Sequence, residues 1–241
     1  MKKGLLTALC CAFLAWSGAA KADINAAAAE SFVKKTTQDG LIEIVNADVS
    51  QAEKDKRFEK IFNQALDLNF IGQFVLGRYW RTATPAQRKE FIDLYRRLNV
   101  KTWSQRFDEF KGKKFVFKGT SPSSSANQIF VNSVVPMDQG NPAAVIWRVK
   151  EKDGNFKIVD IIIENVSLAI TARNEYTSYI KNSKSGIDGL IASLKTKLQY
   201  KFDERSINMH KKNGELSPFF FRPPRKESSK NICTISTLNQ Q

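Results

Sequence analysis

Histidine is almost missing from this chain and cysteine is scarce: 241 residues hold one histidine, His210, and three cysteines. Cys10 and Cys11 fall in the apolar run that opens the chain, and Cys233 lies near its end. Residues 12–209 contain neither type, which rules out a Ser-His-Asp or Cys-His catalytic centre there and leaves no ligand set for zinc. No G-x-x-x-x-G-K-[ST] or G-x-G-x-x-G run occurs, so nothing supports a nucleotide site.

The chain also lacks an apolar run long enough to span a membrane. The opening run, Gly4 to Trp16, is too short for that. It follows the basic Met1-Lys2-Lys3 and precedes Ala20-Lys21-Ala22, a basic start, a short apolar centre and an A-x-A end. Residues 1–22 therefore read as a secretory signal cut after Ala22. Leu9 stands where a lipoprotein signal needs a small residue, so Cys10 and Cys11 do not make it one. The remaining chain is expected to be soluble and exported. One remaining cysteine allows no internal disulfide even in an oxidising compartment, so the fold must rest on an apolar core, for which the length suffices.

Formal net charge is +14, spread along the chain. A basic exported domain can meet acidic partners or anionic lipid headgroups; nucleic acid is set aside, because no binding motif is present.

What is present falls into three stretches. Residues 23–48 are alanine-rich and then apolar, and predict a helix; residues 51–66 predict a short amphipathic one. Thr84-Pro85-Ala86-Gln87 is a helix start, with Thr84 as N-cap, Pro85 in the first turn and Gln87 closing a capping box. Phe91, Leu94, Tyr95 and Leu98 form one face of that helix, and Trp103, Phe107 and Phe110 continue it after a slip in phase. The period then becomes two, predicting strands over 113–118, 128–135, 143–150 and 156–163, with turns at Ser121–Ser125, Gln139-Gly140-Asn141 and Asp153-Gly154-Asn155. Helical spacing returns over 168–181 and 188–200. The expected fold is α+β, with helices packed on a four-stranded antiparallel sheet. Residues 201–241 have mixed charge, Arg222-Pro223-Pro224-Arg225 and no sustained periodicity, and read as a disordered extension of a domain spanning 23–200.

Three segments carry a family resemblance. Val75-Leu76-Gly77 through Phe91 has the pattern V-L-G-x-x-W-R-x-A-x-x-x-Q-R-x-x-F. Lys157 to Leu168, followed by Arg173, has K-I-V-D-I-I-I-E-N-V-S-L…R, and Gly186-Ile187-Asp188-Gly189-Leu190-Ile191 follows in order. Together they resemble the MlaC (toluene-tolerance) family of periplasmic phospholipid-binding proteins. Asn165 stands where that family has glycine; asparagine tolerates left-handed backbone, so the turn is expected to survive. The resemblance implies a nuclear-transport-factor-like cone, its curved sheet enclosing an apolar lipid cavity. It implies no catalysis and no cofactor, only a phospholipid cargo. It also implies a monomer that docks with an outer-membrane lipoprotein–porin complex and with an inner-membrane ABC transporter carrying membrane-anchored lipid-binding subunits. A sister role in the family is carriage of a hopanoid-type lipid.

The candidate lipid-binding residues are the stripe Phe70, Phe74, Leu76, Trp80, Phe91, Tyr95, Leu98 and Trp103, with a strand wall of Val145, Trp147, Val149, Val159, Ile161 and Ile163. Any one of them alone reads as core; the set offers more apolar surface than a sheet and its helices usually hide. Ser167 is placed at the pocket mouth by the family match, although a turn hydroxyl more often bonds nearby backbone. Asp160, in a strand, is the one residue that invites an isomerase-like base, and fold analogy cannot carry that claim.

Overall fold

A computed structural model describes residues 24–125, 127–137 and 141–199. The expected signal and the 201–241 extension lie outside the described residues, as does most of the turn expected at Gln139-Gly140-Asn141.

Helix α1 (Ala26–Lys34) starts at Asn25, whose side chain accepts from the Ala28 amide at 3.0 Å. It runs on through a π-helical segment, Lys35–Ile42, into α2 (Glu43–Asn46). The single helix expected here is thus widened in its middle. The Thr36 and Thr37 hydroxyls donate back to the Phe32 and Val33 carbonyls at 2.8 and 2.9 Å, competing with the regular ladder. Helix α3 (Gln51–Ala65) follows, then Leu66, which bridges in parallel to Ile158. Asp67 caps α4 (Leu68–Leu76) by accepting from the Phe70 amide at 3.0 Å.

Gly77, at φ +54°, ends α4 and turns the chain into the short α5 (Arg78–Thr82). Helix α6 (Pro85–Ser104) has the predicted capping box: the Gln87 amide donates to Thr84 Oγ1 at 3.2 Å and the Thr84 amide to Gln87 Oε1 at 2.9 Å. A 3-10 turn at Phe107–Phe110 follows it, whereas the slip in phase between Leu98 and Trp103 falls inside α6.

The sheet is an antiparallel meander of β1 (Val116–Pro122), β2 (Gln128–Val135), β3 (Ala143–Lys152), β4 (Asn155–Ile163) and β5 (Val166–Ser167) in spatial order one to five. It has five strands rather than the expected four, and β1 begins later than predicted. The additional strand is short: Val166 and Ser167 fold back on Ile163 and Ile162. The turn that allows this has Glu164 at φ +49° and Asn165 at φ +66°, so asparagine does adopt the left-handed backbone foreseen for it. Asp153 and Gly154, at φ +53° and +74°, make the two-residue hairpin between β3 and β4, as both left-handed positions require. Helices α7 (Leu168–Asn182) and α8 (Gly186–Gln199) complete the domain.

Three packed clusters hold these elements together. Ala29 and Val33 of α1 lie with Val131, Val145, Trp147, Val149 and Ile158 on one face of the sheet. Ile71, Val75 and Leu76 of α4 meet Phe91, Leu94 and Tyr95 of α6, Tyr176 and Ile180 of α7, and Leu190 and Leu194 of α8 in a helical layer. A smaller cluster joins Ile44, Val45, Phe58, Phe62, Val100 and Phe107. Leu66 packs against all three, at the joint between helices and sheet.

Candidate functional site

Two of the sequence motifs meet at the entry to α7. The Asp160 carboxylate accepts from Ser167 Oγ at 2.6 Å and from the Ala169 amide at 3.0 Å, while Ser167 Oγ accepts from the Ile170 amide at 3.0 Å. Ser167 is therefore the N-cap of α7, and Asp160 anchors that cap to the sheet. Burial raises the Asp160 pKa, opposed by the Ser167 and backbone hydrogen bonds and by the Arg148 charge. One turn on, Arg173 donates to the Phe74 carbonyl at 3.2 Å. Its guanidinium lies against Gly77, where an added Cβ would come within 3.2 Å of it. The second motif's arginine thus locks the C-terminus of the first motif's helix.

Most of the residues singled out as a lipid wall fall into three packed clusters. Leu76, Phe91 and Tyr95 are buried inside the helical layer, with Phe74, Trp80 and Leu98 half-buried at its edge. Trp103 packs half-buried against the smallest cluster, beneath the Arg106 guanidinium. Val145, Trp147 and Val149 are buried against α1, and Ile161 and Ile163 flank them, half-buried. Trp147 Nε1 donates to Ser133 Oγ at 3.0 Å and its ring meets Phe115 edge-on at 5.6 Å. This is well-packed interior.

The grouping of Val159 with Ile161 and Ile163 needs a correction. Ile161 pairs with Trp147 and Ile163 with Val145, but Ile158, not Val159, pairs with Val149. A bulge at Val159 shifts the alternation by one residue, so strict period two mislabels everything before it.

The other face of the sheet is different. Registered neighbours Val116, Val134 and Ala144, then Ile146 and Ile162, then Phe130 beside Arg148, are half-buried or exposed, and the apolar ones belong to none of the three clusters. Val116 is 46% exposed, and Ile170, in the first turn of α7, 50%. The cations along this side lie over aromatic rings. Arg148 sits over Phe130 at 5.6 Å, Lys150 over Phe70 at 4.3 Å, and Arg173 over Phe74 at 4.9 Å, each from the ring centroid. Phe70 is the member of the expected stripe that meets this side, through Lys150. At its hairpin end a groove of about 640 Å³ is lined by Asn63, Asp67 and Asn69 on the helix side and by Lys150, Lys152 and Lys157 on the strands.

Sequence reading missed Phe130, Ile146, Arg148, Lys150 and Ile162. The signal was there: Ile161-Ile162-Ile163 puts apolar side chains on both faces of β4, so neither face could be assigned to solvent. Among the described residues no group of three or more His, Cys, Asp or Glu side chains is placed to hold a metal, and no helix is long and apolar enough to cross a membrane.

One face of the sheet packs with α1 in the first cluster; the other is covered at Asp160 by the start of α7 and carries half-buried apolar side chains beyond it. The arrangement has a solved counterpart: a phospholipid-binding protein from Ralstonia solanacearum, determined in complex with a phospholipid, superposes with a TM-score of 0.63 at 23% identity, covering 70% of this chain and 96% of that one. The intermembrane phospholipid transport system binding protein MlaC of Haemophilus influenzae is 25% identical over 166 residues, 65% of this chain and 76% of that protein. Residues 35–196 match the MlaC protein family, and the chain belongs to it.

Proposed function

We propose that this chain is a periplasmic phospholipid-binding carrier that shuttles lipid between the outer and inner membranes, the soluble component of an ABC-type system maintaining outer-membrane lipid asymmetry. The observation that carries this reading is the sheet face bearing Phe130, Ile146 and Ile162, apolar yet left out of every packed cluster. Family membership and the names of its relatives support it.

The physics of the cargo explains the design. A phospholipid has two chains of about 15 methylenes, so at ~0.8 kcal/mol each, exposing both to water costs on the order of 24 kcal/mol. Free crossing of an aqueous space is negligible at that cost, and an apolar surface that hides the tails suffices to remove it. The bilayer hides tails equally well, so the carrier loads and unloads with little net drive, and direction comes from its docking partners. In this reading those are an outer-membrane lipoprotein–porin complex and an inner-membrane ABC transporter with membrane-anchored lipid-binding subunits. An isomerase-like role for Asp160 has less support, since both its oxygens are engaged in capping α7.

The test is lipid extraction and native mass spectrometry on protein purified without added lipid. Co-purifying glycerophospholipid is expected. A lipid-free, monodisperse protein that takes up none from vesicles counts against the reading, and a polycyclic lipid in its place assigns the hopanoid role.

A further inference from the structure

Strand β1 and the turn that leads into it carry a feature the carrier reading leaves unused. The run Lys111-Gly112-Lys113-Lys114-Phe115-Val116-Phe117-Lys118 lies in a stretch, Phe110 to Met137, without a single acidic residue. The fold holds this run in place. The Gly112 amide donates to Asn46 Oδ1 at 3.1 Å, and Gln38 Nε2 donates to the Phe115 carbonyl at 2.7 Å. Phe115 is buried against Trp147, and Phe117 packs on the same cluster, with the Lys34 ammonium 5.4 Å from its ring centroid. With Phe115 and Phe117 turned inward, alternation turns Val116 and Lys118 outward.

Lys111, Lys114 and Lys118 are exposed, and none of them makes an ion pair among the described residues. Glu30 of α1 and Glu109 of the 3-10 turn pair with Lys34 and Arg106 instead. Among the lysines two apolar side chains stand open. One is Val116; the other is Met137, 43% exposed, just past the end of β2, whose register sets Val134 beside Val116. Edge strands carry lysine to deter pairing with another sheet, and β1 is an edge, which accounts for Lys118. It does not account for Lys111 and Lys114, which precede the strand, nor for Val116 and Met137, whose exposure works against it.

The residue types narrow the partner. The planar fork of arginine suits single carboxylates, whereas lysine offers a point charge on a flexible stem, suited to a diffuse anionic field. Open apolar groups among lysines match the boundary of a bilayer: the apolar side chains enter between headgroups, and each nearby lysine adds attraction to anionic lipid. We infer that Lys111, Lys114, Val116, Lys118 and Met137 dock the protein on the surface of a bilayer that bears anionic lipid. This goes beyond the carrier reading, since it concerns the membrane as a surface and needs no lipid inside the protein.

The experiment floats the full chain, purified after export, with vesicles of phosphatidylcholine alone or mixed in equal parts with phosphatidylglycerol. Binding to the mixed vesicles only is expected, and its loss at ~1 M salt, where charges act over about 3 Å. Each lysine near an anionic surface is worth about fivefold in affinity. Lys111→Gln, Lys114→Gln and Lys118→Gln together are therefore expected to weaken binding by about a hundredfold, with an unchanged melting temperature. Val116→Ser with Met137→Ser is expected to weaken it severalfold and leave its salt dependence as it was. Wild-type protein that ignores the mixed vesicles, or binds the neutral ones equally, overturns the inference. A folded triple-lysine variant that binds like wild type places the contact elsewhere in the chain and also overturns it, as does a serine pair without effect. Should the triple variant not fold, Lys118→Gln alone, expected to cost about fivefold, decides. Polyglutamate bound as tightly as the vesicles assigns an acidic protein partner and overturns the bilayer. Lipid extraction from the same preparation keeps the two readings apart: lipid-free protein that binds vesicles fails the carrier reading alone, and lipid-loaded protein that ignores them fails this one alone.

Discussion

Gly77 shows how much one position can carry. Its φ of +54° with ψ of −124° is open to glycine and to almost nothing else, and the Arg173 guanidinium occupies the space beside it. Gly77→Ala combines backbone strain with a clash against the group that closes α4. A loss of about 1–3 kcal/mol is expected from the backbone alone, seen as a melting temperature lower by several degrees. An unchanged melt shows that α4 can end another way. Asp160 works on the same scale: one buried carboxylate ties β4 to the first turn of α7, which is why an acid stands in an otherwise apolar strand.

Helix ends and tight turns follow from interactions that reach no more than four residues. Thr84→Ala removes one half of the α6 capping box and is expected to cost about 1 kcal/mol, checked by chemical denaturation. The capping box and the Asp153-Gly154 hairpin were legible because the residues that decide them are adjacent, and the left-handed Asn165 because the resembled family has glycine there. The α7–α8 contact is another matter. Burial lowers the Lys197 pKa to about 8 although Glu175 acts to raise it, and burial raises the Glu175 pKa. A lysine whose folded pKa lies below its unfolded value of 10.5 binds fewer protons in the folded state between those limits. Stability therefore climbs as pH rises from about 8 to 10.5, with the full gain present above. Lys197→Met is expected to flatten that part of the stability–pH curve, measured by denaturation at fixed pH values. An unaltered slope assigns it to other groups.

For the molecule as a whole, the question is which side of the sheet serves as core. Ile161 and Ile162 are neighbours in one strand, yet Ile161 faces Trp147 under α1 while Ile162 faces outward with Ile146. Ile161→Arg sets a charge against the packed cluster beside Trp147 and is expected to lower the melting temperature by several degrees. Ile162→Arg places its charge on a half-open face, where the long stem can reach water; the fold is expected to persist while lipid content falls. Thermal melts and lipid extraction on the two variants separate the faces. The opposite pattern exchanges their roles.

The helices-sheet-helices order, the α6 cap, the β3–β4 hairpin and the α+β class were written into the chain, because each rests on local spacing and backbone preference. So was the surplus of apolar residues that a carrier needs. Folding decided where that surplus went. The bulge at Val159, the placement of Trp147 beneath α1 and the approach of Phe70 to Lys150 depend on partners tens of residues apart. Period two says which residues share a face, but not which face the helices cover. That choice is made by volume and contact between distant segments.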